Sequence, residues 1–395
     1  MSQLKVNTIR HTGASSDAVT LASDGSCTVK ATNNLSNRNL IINGAMQVAQ
    51  RGVSSTIVGY GSVDRFRGSY GGENEDPTQA QITLTSSDTG PWAKGFTKAF
   101  QITNGNQTSG AGAADSCTIQ YKMEWQDLAN SGWDFTNPNS KITLSFWAKS
   151  SVAQTFYGRF RLYASSQYEY TYSIALSANT WTKVTKTLPG NSNFSSLVNT
   201  NALGLFHTIQ IFYGTDFTGN KTLDTWAVKV SGTHSPNMDS DWWEANDATF
   251  AITGFQLEVG DVATEFEHRT FADELARCQR YYWKSYDYSV APGTASDPGS
   301  IFGRNYHSTS KSQNPLDVRF PVTMRTIPTT LNGYAVHSGT IAKVSTDSSQ
   351  ASNCDVENAL NAVNMLGERG FSSISTASIG TADFFGAHFT ADAEL

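Results

Sequence analysis

Residue types that carry chemistry are thinly spread through these 395 residues, so their spacing decides what they can do. The stretch "GFQLEVGDVATEFEHR" gathers Glu258, Asp261, Glu265 and Glu267. Glycoside hydrolysis needs two carboxylates facing each other across a bond. Nothing in this spacing sets two acids across a cleft, and an acidic sheet edge gives the same letters. The 7 histidines form no HExxH pair and no GxSxG is present, so the signatures of zinc peptidases and α/β-hydrolases are missing. Glu73, Glu75 and Asp76 in "GGENEDP" are hard oxygen ligands of the kind that hold calcium. They lack EF-hand spacing, and an acidic surface loop explains them equally well. Calcium is therefore the one cofactor left open. Cys27, Cys117, Cys278 and Cys354 lie far apart with no CxxC pair, which predicts free thiols and no zinc site.

Ring stacking is the other available chemistry. In "KITLSFWAK", alternation puts Ile142, Leu144, Phe146 and Ala148 on one face and Trp147 on the other. In "FYGRFRLY", Phe156, Phe160 and Leu162 face inward while Tyr157, Arg159, Arg161 and Tyr163 face outward. Flat rings stack on the apolar faces of pyranose sugars, and guanidinium groups reach hydroxyls or anions. The same residue types are what interfaces prefer, so the outward face is either a sugar platform or a surface packed on another chain or domain. Trp242 and Trp243 sit side by side in the acidic, turn-rich "DSDWWEANDA". Either could be a ligand platform if exposed, or a packing anchor if buried. "YYWKSYDY" and Tyr306 make a further candidate surface, with Tyr286 at its centre and burial as the alternative.

These side chains must be positioned by strands. Charged residues are only 16% of the chain while aromatics reach 11%, which argues against disorder and for a turn-rich β protein. A net charge of −6 argues against general nucleic-acid binding. No apolar run reaches the length of about 18 residues that a membrane helix needs. The opening "MSQLKVNTIRHTG" has no apolar core of the secretory kind. Residues 1–34 read as a separate β segment, with "AVTLASDGSCTV" a hairpin turning at Asp24-Gly25. So short a piece cannot bury a core and must be a loose tail or pair with other chains. Residues 35–269 are a succession of short alternating strands, predicting an antiparallel β-sandwich of jelly-roll type. Residues 270–287 read as a connector helix: Thr270 and Asp273 form its cap, and Phe271, Leu275, Cys278 and Tyr282 make an apolar stripe. Residues 288–395 read as a C-terminal β domain in which "DVENALNAVNML" is ambiguous between helix and loop.

One ordered set of phrases carries a resemblance. "NLIINGAMQVAQRG…VDRF", "SFWAKSS", "FQLEVGDVATEFEHR" running into "CQRYYW", "VTMRTIPT" and a terminal "FTADAEL" follow one another along the chain. That order resembles tail-fibre and tail-associated virion proteins of tailed bacteriophages, especially those of marine bacteria. The resemblance implies a sandwich like those of carbohydrate-binding modules and an assembly of identical chains, usually trimers. It also implies a place on the virion after assembly in the host cytoplasm, and no catalysis. Residues 1–34 would then join other virion proteins, and the outer surfaces would meet a host-surface glycan or receptor. Alternatives are a head fibre or capsid decoration protein, a glycan-hydrolysing tail protein, and a free secreted sugar-binding module. Within the fold, "LIINGAMQV" would be the first strand beside the last, "GFQLEVGDVATEFEHR", with Gly44 a bulge or close approach. Asp64 and Arg65 would pair with each other or tie loop amides, and Gln256 and Glu258 share a parity. These phrases read as fold signatures, not as an active site.

Overall fold

Alternation along Lys141–Ser150 builds the body: Ile142, Leu144, Phe146 and Ala148 are all buried between two sheets. The computed structural model describes residues 6–10, 12–13, 17–21, 23, 27–29, 37–163, 167–194, 200–304, 313–347, 356–376 and 384–395. The first sheet runs Trp226–Val228, Gln167–Leu176, Gln154–Tyr163, Leu203–Tyr213, Ser116–Glu124, Phe66–Gly71. The second runs Thr182–Pro189, Lys141–Ser150, Thr249–Val259, Lys98–Thr103, Thr78–Thr83, Ser54–Ser55. Paired strands are antiparallel in both, and the chain passes back and forth between them as a jelly roll. Phe66, Phe100, Phe146, Phe156, Phe160 and Phe250 fill the space between the sheets. Each such side chain contributes roughly 1.5–3 kcal/mol by leaving water.

The first phrase is not a strand. Residues 40–48 are irregular, because Asn43 and Met46 take φ of 62° and 58° and an extended path cannot continue through the left-handed region. The segment nevertheless lies beside the last strand. Leu40 N–H donates to the Leu257 carbonyl and Phe255 N–H to that of Gly44. Asn39 Oδ1 accepts from the amides of Ile41 and Leu257. A Cβ on Gly44 would sit 2.1 Å from the Phe255 carbonyl oxygen, so this glycine is a close backbone approach.

The helix is shorter than its apolar stripe suggested. It spans Phe271–Gln279, and Thr270 caps it by accepting from Asp273 N–H. Phe271 is exposed, while Cys278 packs with Ile42, Val48 and Tyr281. Tyr282 already belongs to a strand, Tyr282–Lys284, because pairing with Phe384–Asp392 begins there. That last strand organises the C-terminal sheet, also pairing with Ile301–Arg304, Thr330–Ala335 and Lys343–Asp347. Val356–Asn364 is a strand against Gly370–Thr376, so long-range pairing overrides its helical spacing. At the other end Thr8–Ile9, Val19–Leu21 and Cys27–Val29 form a three-stranded sheet. Its hairpin register is Val19↔Val29 to Leu21↔Cys27. The expected Asp24-Gly25 turn lies outside the described residues.

The sequence phrases meet where sandwich and C-terminal sheet join. Asp64 accepts from the backbone and side-chain amides of Gln50, as a loop tie should. Arg65 does not pair with it: Arg65 is buried, bonds Glu394 and the Lys122 carbonyl, and lies 3.4 Å from the Tyr281 ring centre. Arg51 stacks on Tyr282 at 3.7 Å and pairs with Asp392 at 2.9 Å and Asp64 at 3.7 Å. Arg280 grips the fully buried Glu124 through Nε and Nη2, at 3.0 and 2.8 Å. These groups join the sandwich to the C-terminal sheet.

Candidate functional site

The outward face of the first sheet is where the sequence-selected residues converge most. Strand register lines up Arg67 with Gln120, Lys122 with Phe206, Phe206 with Arg161, Arg161 with Glu169, and Tyr163 with Gln167. Alternation therefore delivers two adjoining rows on one mostly polar face: Arg67, Gln120, Thr208, Arg159 and Thr171 across five strands, and Lys122, Phe206, Arg161 and Glu169 across four. Glu169 is the hub of that face. Arg159 Nη1 reaches Glu169 Oε1 at 3.0 Å, Arg161 does so through Nε at 3.0 Å and Nη2 at 2.8 Å, and Lys221 Nζ reaches Oε2 at 2.9 Å. His234 Nδ1 stands at 3.7 Å, ion-pair range and too long for a hydrogen bond.

Burial by itself would raise the Glu169 pKa. His234, Arg159 and Lys221 outweigh it and hold the carboxyl well below the ordinary carboxylate range. Burial, with the nearby Arg159 and Arg161 charges, pushes the His234 imidazole pKa down against the pull of Glu169. The cluster is thus a fixed, mostly desolvated charge arrangement that holds two guanidinium planes in place.

The chain roofs part of this face with its own segment 214–239. Thr171 Oγ1 and Gln210 Nε2 both donate to the His234 carbonyl. Tyr157 and Arg159 point outward as expected and are buried all the same, at 9% and 3% exposure. Their covering is the chain's own segment, which is the packing alternative to a sugar platform. The uncovered end keeps Arg67, Gln120, Phe206, Arg161, Tyr163 and Gln167 half-exposed. Among the described residues, Gln167 Oε1 at this end, and Arg159 Nε, Thr208 Oγ1 and Gln210 Oε1 on the same face further in, are buried polar atoms without a hydrogen-bond partner. Buried polar groups in folded proteins normally find partners.

Trp147 does not join this face. Its strand belongs to the second sheet, where the ring packs with Phe96, Trp181 and Ala251 under the loop that carries Gly90. Alternation predicts an outward Trp without saying from which sheet. Trp243 is fully buried and stacked on Phe212 at 5.1 Å, and Trp242 is buried too, because Asp241–Glu244 is a short helix. Both are anchors, and an exposed platform is excluded in this fold. Tyr286 is buried, stacked on His388 at 3.7 Å with its hydroxyl accepting from Gly293 N–H. Tyr281, Tyr282 and Trp283 are buried with it. Tyr306 lies outside the described residues.

The acidic loop at Glu73, Glu75 and Asp76 forms no group of three metal-capable side chains, and neither do any other described residues. Glu75 instead accepts from the Asn106 amide at 2.8 Å. Glu258 is likewise used structurally, accepting from Gln256 Nε2 and the Thr264 amide, both at 2.9 Å. Cys117 and Cys278 are free and buried, and burial pushes both thiols' pKa up. No helix among the described residues is long and apolar enough to cross a membrane.

The hub Glu169, with Lys221, His234, Thr208 and Gln210, is absent from the sequence-selected set. Alternation in "YEYTYSIAL" and "LFHTIQIFY" puts Glu169, Thr208 and Gln210 outward, so a signal existed. What joined them to Arg159 and Arg161 was register.

No protein-family model matches the chain, and no curated protein does. Solved structures with a partial likeness include the enzymatically active domain of tailspike protein 4 from bacteriophage CBA120. It shows 10% identity and a TM-score of 0.31 over 56% of this chain, which spans 22% of the tailspike chain. A putative sugar-binding protein from Bacteroides thetaiotaomicron is similar at 12% identity and a TM-score of 0.28, over 56% of this chain and 100% of that one. A family 11 carbohydrate-binding module from Clostridium thermocellum, in complex with a mixed-linked tetrasaccharide, shows 9% identity and a TM-score of 0.24, over 55% and 98%.

Proposed function

We propose that this chain is a non-catalytic, glycan-recognising virion protein, a trimeric tail fibre that contributes to attachment at the host surface. The observation that carries the recognition part is the half-open polar row of the first sheet. Arg161 is held by Glu169 and reaches toward the Tyr163 hydroxyl at 3.4 Å, with Phe206 beside it and Gln167 Oε1, unpartnered among the described residues, opposite Tyr163. Two rings and preset donors and acceptors suit a sugar's apolar face and its hydroxyls. The virion and tail-fibre parts rest on the ordered phrases of the sequence. The small N-terminal sheet, with Ile9 and Leu21 exposed, is the segment assigned to chain pairing and attachment. Three weak sites on one rigid trimer would bind a polymer by avidity, so affinity on the order of mM per site suffices.

Affinity electrophoresis of the full chain through gels containing surface polysaccharides of marine bacteria tests recognition. Retardation by at least one polysaccharide is expected. Arg161→Ala and Tyr163→Ala should abolish it, while Trp92→Ala, in the exposed loop over the other sheet, should leave it intact. Unchanged retardation of the Arg161 variant, or release of reducing ends from the polymer, refutes the reading. Light scattering that returns a 42.8 kDa monomer at micromolar concentration refutes the trimer.

A further inference from the structure

A cleft of about 470 Å³ opens beside the connector helix, between that helix, the short helix Trp125–Ala129 and the last sandwich strand. It falls within the roughly 300–1,000 Å³ of small-molecule sites. Its floor is apolar, with Ile42 and Tyr281 buried at its base. Its walls carry charge that is not all used internally. Arg280 is neutralised by Glu124. Arg277 makes one hydrogen bond, from Nη2 to Asn37 Oδ1 at 2.7 Å, and has no ion-pair partner among the described residues. The Asp127 carboxylate and the Asn130 side-chain amide line the same cleft and make no hydrogen bond to other described residues.

We propose that this cleft binds an acidic sugar unit, a hexuronate carried on a polysaccharide. The carboxylate sits on Arg277, where a guanidinium can hold it through two parallel bonds. Ring hydroxyls donate to Asp127 and exchange hydrogen bonds with Asn130, and the apolar face of the pyranose covers the floor. A bare oxyanion would satisfy Arg277 and face the Asp127 carboxylate with nothing to donate. A neutral sugar would leave Arg277 buried under ligand without a counter-charge. The acidic sugar is the chemistry that meets all three demands. The site stands apart from the strand-face row and does not rest on it.

Isothermal titration of the full chain with sodium glucuronate, glucose and sodium sulfate tests the assignment. Glucuronate should bind at least tenfold more tightly than either other probe. Arg277→Gln should weaken it at least tenfold, Arg277→Lys less, and Arg161→Ala not at all. Asn130→Ala, on the exposed side of the cleft, should weaken it about threefold and decides the matter if the Arg277 variants melt early. Equal binding of sulfate reduces the site to an anion hole, and equal binding of glucose removes the role of charge. Glucuronate affinity unmoved by both Arg277→Gln and Asn130→Ala places the ligand elsewhere. Each of these three results overturns the proposal.

Discussion

His207 shows how one residue sets a pH response. It is buried against Phe160 and Phe255, with Nε2 2.8 Å from the Tyr172 hydroxyl. Burial, reinforced by Arg159, pushes its pKa down to about 3, so the folded imidazole stays neutral where the unfolded one titrates near 6.5. Between about pH 6.5 and 3 the unfolded chain takes up a proton that the folded chain refuses. Stability is therefore complete above that window and falls as pH falls through it, by an amount on the order of a few kcal/mol. Asp64 and Glu394, whose pKa values burial raises, act in the opposite sense, so comparison with a variant isolates the histidine. In His207→Gln, the slope of unfolding free energy against pH, measured by urea titration, should shrink by about one proton across that window. An unchanged slope would show that His207 titrates normally in the fold.

Among the elements, two glycines decide whether strands can lie as they do. Gly158 has the Tyr172 ring lying across it, where an added Cβ would sit 2.1 Å from Cζ. Gly158→Ala should cost about 1–3 kcal/mol or more. Adding Tyr172→Leu should recover part of that loss, with a coupling above about 0.5 kcal/mol in a double-mutant cycle. Gly44→Ala meets a backbone carbonyl, which cannot rotate away as a side chain can. No second-site side-chain change should rescue it, and soluble yield with thermal melting is the measurement. The Gly44 approach was legible as an isolated glycine in an apolar run. The Gly158 constraint was not, since it depends on Tyr172 being the cross-strand partner.

For the whole molecule, the buried ionic junction predicts that sandwich and C-terminal sheet unfold together. Arg51 and Arg65 from the first phrases meet Asp392 and Glu394 from the last, with both arginine side chains and Glu394 almost entirely buried. Removing one partner of such a pair typically costs 3–5 kcal/mol, because the other charge stays buried and uncompensated. Calorimetry of the parent chain should show one cooperative transition for the two domains. Glu394→Gln should lower it and split it in two. Two independent transitions already present in the parent chain would show that the junction carries no coupling.

By itself the sequence determined the strand-rich class, the inward residues of Lys141–Ser150 and Gln154–Tyr163, the existence of an outward face, the helix cap at Thr270 and the hairpin of the N-terminal segment. All are local, set by a period of two or by a few neighbouring side chains. Only the tertiary structure decided that Trp147 and Tyr157 lie on different sheets, that segment 214–239 roofs Arg159, and that Trp243 and Tyr286 are anchors. It also decided that Glu169 is the hub of the polar row, and that Val356–Asn364 is a strand. Each of these depends on register or on contacts between residues far apart in the chain. Alternation says that a side chain leaves one face of its strand, and the fold alone says what stands opposite.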